Sequence, residues 1–229
     1  MRKRVFLIIF LVGCFSFVIK AQKLYEPHVH IGAKGGAAFS TITFSPEVKE
    51  SMTDGAFAGV SFRYAVEKYV GLLAELNFVQ RGWKESFEEV SVDESIGKYN
   101  RTLSYIQLPL MTHITFGSPR VKCVINLGPE FSYMIDDHIN SNFDYANYNF
   151  TEQYRMTDQL DKPIYNRFDY GITGGLGMEV KLNRRHSLML EGRYYFGLGN
   201  IFSSAKKDVF NASRNSSIMV SLGYYYRLK

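Results

Sequence analysis

The sequence predicts an all-β protein: an eight-stranded antiparallel up-and-down transmembrane β-barrel of the outer-membrane type. Three observations predict it. Eight runs alternate apolar and polar residues with period two, the runs are joined by connections that alternate long and short, and aromatic residues collect at the ends of the runs. The connections count 15, 4, 20, 4, 33, 3 and 17 residues in order. A soluble barrel has no reason to place every short turn at one end, whereas a bacterial outer-membrane barrel has short periplasmic turns and long outer loops.

The first strand, near 29–40, sets Gly32, Lys34 and Gly36 on one face. The second, near 56–65, carries Gly59 and Arg63 on its polar face and ends in the turn Val66-Glu67-Lys68-Tyr69. The third, near 70–82, carries Gly71, Glu75 and Arg81. The fourth, near 103–116, runs into the turn Gly117-Ser118-Pro119-Arg120. The fifth, near 121–134, sets Val121, Cys123, Ile125, Leu127, Phe131 and Tyr133 against Lys122, Asn126, Glu130 and Ser132. The sixth, near 168–182, opposes an apolar row from Phe168 to Leu182 to Asp169, Gly171, Thr173, Gly175, Gly177, Glu179 and Lys181. After Asn183-Arg184-Arg185, the seventh, near 186–198, brings Glu191, Arg193 and Gly197. The eighth, near 216–228, alternates Ile218, Val220, Leu222, Tyr224 and Tyr226 with Met219, Ser221, Gly223, Tyr225 and Arg227. Successive strand side chains point to opposite faces, so each strand has one apolar and one polar side.

Length, glycine and aromatics decide which side faces out. A tilted strand crosses a bilayer in about 9–11 residues, and these runs reach or exceed that. The polar face is rich in glycine, as the cramped interior of an eight-stranded barrel requires. The aromatics form two belts, the pattern that two membrane interfaces select. Phe39, Phe78, Trp83, Phe131, Tyr133, Phe168, Tyr170, Tyr194 and Phe196 are expected near the long-loop rim. Phe62, Tyr64, Tyr69, Phe116, Tyr224 and Tyr226 are expected near the short-turn rim.

The N-terminus reads as a signal peptide over 1–21: basic Arg2-Lys3-Arg4, an apolar run from Val5 to Ile19, and a small residue, Ala21, before a cut at Gln22. Residues 22–229 then form one barrel domain, located in the outer membrane. Leu11-Val12-Gly13-Cys14 offers a rival lipoprotein-type processing box, against which the apolar run continuing to Ile19 argues. The leader holds four of the 27 bases and none of the 22 acids, which leaves 23 against 22 in the mature chain. The basic balance therefore belongs mostly to the leader and gives no reason to expect nucleic acid. Cys14 leaves with it, and Cys123 alone cannot build an intramolecular disulfide or a cysteine metal site.

The polar face assigns a lumen charge network of Lys34, Arg63, Glu75, Arg81, Lys122, Glu130, Glu179, Lys181, Glu191, Arg193 and Arg227. Two readings follow: an ion path, or a salt-bridged plug filling the barrel. Isolated buried charge is costly and barrels of this size are filled by side chains, which favours the plug.

Six sets of segments occur in order: Gly32-Ala33-Lys34-Gly35-Gly36-Ala37-Ala38-Phe39-Ser40, Gly71-Leu72-Leu73-Ala74-Glu75-Leu76-Asn77-Phe78 with Gln80-Arg81-Gly82-Trp83-Lys84, Tyr105-Ile106-Gln107-Leu108-Pro109-Leu110, Gly128-Pro129-Glu130-Phe131, Phe168-Asp169-Tyr170-Gly171 and Gly174-Gly175-Leu176-Gly177. Together they resemble the PorT-like outer-membrane β-barrel family of Bacteroidetes. The resemblance implies an outer-membrane barrel. Its namesake is an accessory protein of type IX secretion, and no catalytic residues come with it.

The chain carries no Walker loop, no G-x-S-x-G, no H-E-x-x-H and no ligand-spaced His cluster, so no catalytic, cofactor or metal site is expected. Ser132, Asp136, Asp137, His138 and Ser141 are the best enzyme candidates, a rim group where a lipid-modifying Ser–His pair could sit. Asp136-Asp137 alone is a weak signal for a divalent cation. Three function classes remain: an accessory barrel docking a secretion-system or surface protein, a narrow porin-like pore, or a surface lipid-modifying enzyme. The 135–167 loop, with Phe143, Tyr145, Tyr148, Phe150, Tyr154 and Tyr165, favours docking, because long aromatic loops are seldom plain linkers. Outer-membrane lipids are the other expected partner.

Overall fold

A computed structural model describes residues 26–86, 97–145, 157–204 and 208–228. The signal-peptide expectation, and Tyr148, Phe150 and Tyr154 of the long loop, lie outside these residues. Eight antiparallel strands close into one barrel in sequence order: β1 (His28–Ser45), β2 (Thr53–Ala65), β3 (Val70–Ser86), β4 (Lys98–Gly117), β5 (Val121–Ser141), β6 (Phe168–Lys181), β7 (His186–Gly197) and β8 (Ala212–Arg227). The ring closes where β1 pairs with β8, with Ala37 opposite Val220 and Lys34 opposite Gly223. Closure leaves no strand edge along the wall, the condition for crossing hydrocarbon. Among the described residues no helix is long and apolar enough to cross a membrane.

The alternation sets the wall as expected. Leu72, Leu76, Leu127, Leu176 and Leu222 point outward and stay more than half exposed. Lys34, Glu75, Arg81, Glu130, Glu191 and Arg193 point inward and are buried. This inverts a soluble protein, and lipid is the solvent that suits the outer face. Most of the belt aromatics stand outside, Phe131, Tyr133, Phe168 and Tyr170 at one rim and Phe62, Tyr69, Phe116 and Tyr224 at the other. Trp83 corrects the expectation. It shares the parity of Arg81, points inward and is fully buried.

The short turns fall at 66–69, 118–120 and 182–185. Gly117 adopts φ +126°, and a Cβ there would sit 2.8 Å from the Val121 carbonyl oxygen, so the β4–β5 turn needs glycine. The long connections are shorter than the sequence suggests because the strands climb further at that end. β4 and β5 run to Lys98 and Ser141, where Tyr99 is opposite Ser141. A β-bulge explains why the pattern hides this. Ser104 is opposite Asp136 but Tyr105 is opposite Met134, so Ile135 is an extra residue. Beyond it the inward parity of β5 switches from even to odd residues, and Ile139 packs inward.

The long-loop end is capped by a hydrophobic cluster. Phe44, Trp83, Tyr99, Ile201, Phe202 and Phe210 meet there, joined by Leu160 of the short helix α1 (Asp158–Asp161). Phe44 stands edge-on to Trp83 at 5.5 Å and stacks with Phe202 at 6.0 Å. Phe143 and Tyr145 of the long loop pack against this cluster, while Tyr165 remains exposed.

Candidate functional site: a lumen crossed by ion pairs

The lumen charges sort into stacked networks, and side chains reach across the axis to make them. In the middle, Arg193 on β7 donates to both carboxylate oxygens of Glu75 on β3, at 2.7 and 3.1 Å. It also donates to Glu191, at 3.0 and 2.9 Å. Lys34 on β1 completes the square, 2.6 Å from Glu75 and 3.3 Å from Glu191. Two cations and two anions balance, and all four side chains are essentially inaccessible. Asn77 donates to Glu75 at 3.0 Å and Asn126 to Glu191 at 2.6 Å, satisfying carboxylate lone pairs that burial would otherwise leave without a donor. Gly59 makes room: a Cβ there would lie 1.9 Å from Asn77 Oδ1.

Toward the short turns, Arg63 on β2 grips Glu179 on β6 with two hydrogen bonds of 3.1 and 2.9 Å. Ser187 donates to the same carboxylate at 2.6 Å, and the Tyr225 ring lies under the guanidinium at 4.4 Å. Arg63 also lies 3.0 Å from His113 Nε2. A guanidinium can only donate, so that ring nitrogen accepts and Nδ1 carries the proton to Asn126 Oδ1, 2.7 Å away. Through Asn126 this network joins the middle one.

Toward the long loops, Arg81 donates to Glu130 at 2.6 Å and approaches Asp169 at 3.8 Å. The Tyr195 ring packs on Arg81 at 3.9 Å, and its hydroxyl donates to Asp169 at 3.0 Å. Asn215 also donates to Asp169, at 2.9 Å. Above this, Arg101 forms a forked pair with Asp137, with bonds of 2.9 and 2.6 Å, and donates to the Lys162 carbonyl at 2.8 Å. Arg101 thereby pins the long loop to the rim.

Eight of the eleven lumen charges thus enter three ion-paired networks. Lys122, Lys181 and Arg227 do not. They sit at the strand ends beside the short turns, where the lumen opens into a hollow; Arg227 lies 2.8 Å from His28 Nδ1, while Lys122 and Lys181 form no salt bridge among the described residues. Sequence reasoning missed His113, Asn77, Gln107, Tyr105 and Tyr195, and placed Asn126, Asp169 and Tyr225 on the polar face without counting them in the network. All share the inward parity of the charges around them, and that parity was the available signal.

The rim group does not assemble. Ser132 faces the lumen and is buried, while His138 lies beyond the bulge, exposed and opposite Thr102. Ser141 donates to the Phe143 carbonyl at 2.9 Å, and Asp137 is held by Arg101. Among the described residues no group of three metal-binding side chains occurs.

Comparison with known proteins agrees with this architecture. The family model described as outer membrane protein beta-barrel domain matches residues 21–203. No curated protein sequence matches the chain. Among solved structures, the outer membrane protein OprG from Pseudomonas aeruginosa is similar with a TM-score of 0.52 at 13% identity, over 88% of this chain and 96% of that one. Ail, the attachment invasion locus protein of Yersinia pestis, gives 0.42 at 10% identity over 88% and 99%. The outer membrane enzyme PagL gives 0.40 at 10% identity over 86% and 97%.

Proposed function

Because the chain belongs to the family of outer membrane protein beta-barrel domains, we propose that it is a non-enzymatic, non-conducting barrel that presents its long-loop end to a partner protein. The observation that carries this reading is the pair of contacts spanning the lumen, Arg193–Glu75 between β7 and β3 and Arg63–Glu179 between β6 and β2. Side chains that meet across the axis fill the path an ion would take, and the aromatic cap lies over them. What remains for the outer end is surface. The described parts of its loops are held by the cap and by Arg101, and a preformed surface loses less entropy on docking than a free one.

A role as an accessory of type IX secretion rests on the motif resemblance alone. Deleting the gene and measuring export of type IX cargo tests it, and normal export removes it. The docking reading is tested by shortening the 142–167 connection and following site-specific cross-links from the outer rim. Loss of the cross-linked partner, with heat-modifiable gel mobility retained, supports it. The pore reading is tested in planar bilayers: stepwise conductance from the purified barrel would replace the plug with a channel.

A further inference from the structure

The short-turn mouth carries charge that the plug does not use. A hollow of about 60 Å³ opens there, walled by seven basic side chains against two carboxylates, Glu67 and Glu179. Glu179 is already committed to Arg63 and Ser187. Lys122 and Lys181 line the same hollow as Arg227 and, among the described residues, form no salt bridge. Two buried nitrogens on its wall, Arg63 Nε and His30 Nδ1, have no hydrogen-bond partner in the protein. The Arg63 side chain is only 4% exposed, so this is an inward-held donor rather than a loose surface group. A buried guanidinium N–H without an acceptor is costly, and cations gathered on one concave wall draw a counter-anion.

The hollow also has a side window. An adjoining space of about 430 Å³ shares His28, Lys122, Lys181 and Arg227 with it and is bounded by Tyr69, Phe116 and Pro119. Tyr69 and Phe116 are about half exposed on the lipid face. Fixed cations therefore lie beside interfacial aromatics at the periplasmic end, where the headgroups of the inner leaflet lie.

We propose that the short-turn mouth is a binding site for a phosphate-class oxyanion, supplied by the headgroup of an anionic phospholipid that enters through the Tyr69–Phe116 window. Lys122 and Lys181 supply the charge that recognises it, and Arg63 and His30 form the floor. The inference goes beyond the docking reading and does not depend on it, because it concerns the opposite end of the barrel.

Two arms test the mature barrel. In the first, native mass spectrometry follows retention of phosphatidylglycerol against phosphatidylcholine from mixed micelles. In the second, unfolding temperature is followed with inorganic phosphate against chloride at matched ionic strength. Lys122→Gln/Lys181→Gln should weaken binding about a hundredfold, at about tenfold for each charge-assisted contact removed. Neither lysine is ion-paired, so the variant should keep its heat-modifiable mobility, and Lys181→Gln alone, at an exposed position, gives a milder second test. Retention of phosphatidylglycerol that the variants lose establishes the lipid as the source. Protection by phosphate alone, lost in the variants, keeps the site and assigns it a soluble ligand. Binding equal in wild type and variants, or none in either arm, overturns the proposal.

Discussion

Arg193 and Glu75 are joined by two hydrogen bonds although three strands separate them in either direction around the ring. They stand on opposite walls, so their contact measures the interior: two extended side chains span it. Arg63 and Glu179 repeat the relationship one level nearer the short turns. The barrel is therefore held across its diameter by charge as well as around its circumference by backbone hydrogen bonds.

Removing Glu75 should be severe. Glu75→Ala leaves Lys34 and Arg193 sharing one carboxylate, Glu191, in an interior closed to water. Breaking a buried pair in this way costs about 3–5 kcal/mol. Glu75→Ala/Arg193→Ala leaves Lys34 with Glu191, one charge each, and should cost less than the two single changes added. Urea unfolding of the purified barrel in micelles measures both. Additive losses would mean that the four groups do not act as a unit.

The lipid face gives a second test. Leu176 lies at mid-strand in β6, opposite Ile125 and Gly192, and is 67% exposed. Leu176→Arg should lower stability by about 2–4 kcal/mol, the cost of a base near the bilayer midplane. Leu176→Phe should assemble normally. Equal folding yields for both variants in lipid vesicles would show that this face does not meet hydrocarbon.

What the sequence discloses follows from what varies along a strand. Period-two alternation reports which face a residue occupies, so strand number, order and the outward rows of Leu and Ile were readable. Alternation says nothing about depth, so it could not separate Lys122 and Lys181 at the mouth from Lys34 in the middle. It also fails where solvent replaces lipid. Above the membrane, β4 and β5 lose the contrast between faces, and the bulge at Ile135 reverses what remains. Trp83 was misplaced for another reason. An aromatic near a rim suits an interfacial belt by composition, but the parity it shares with Arg81 turns it into the cap. The rim serine and histidine could be named from sequence, yet only the register shows the bulge that separates them.

Trp83 is accordingly a cap residue, and Trp83→Ala should act at one end of the barrel. Its ring meets Phe44 at 5.5 Å, Tyr99 at 6.2 Å and Phe202 at 6.3 Å, and its Nε1 donates to Glu85 at 2.9 Å. Truncating a buried aromatic of this size costs about 3–5 kcal/mol. Because the wall is independently bonded, much of that loss should appear as opening of the loops. Limited proteolysis in micelles is expected to cut within 198–204 and 157–167 while the strands stay resistant. An unchanged digestion pattern would remove Trp83 from the cap.

The connection between β1 and β2 carries a pH-sensitive contact on the same outer end. Glu50 accepts a hydrogen bond from the Thr41 hydroxyl and another, at 3.3 Å, from the Ile42 amide. Burial disfavours its charged form and outweighs the Ile42 bond, and the nearby charges of Glu85 and Glu47 push the same way, so its pKa is raised to about 7. The unfolded chain titrates at the ordinary carboxylate value near 4.5. Between these values the folded state holds a proton that the unfolded state has released, so stability falls as pH rises. The docked connection is therefore firmest below pH 4.5, weakens through the interval and carries its full cost above pH 7. Glu50→Gln keeps an oxygen to accept from Thr41 and Ile42 but cannot ionise, so it should remove this dependence and hold the segment as firmly at pH 8 as at pH 5. Hydrogen exchange across 46–52, corrected for the intrinsic pH dependence of amide exchange, reads the effect. Wild-type protection that stays flat between pH 5 and pH 8 would show that Glu50 does not govern the docking.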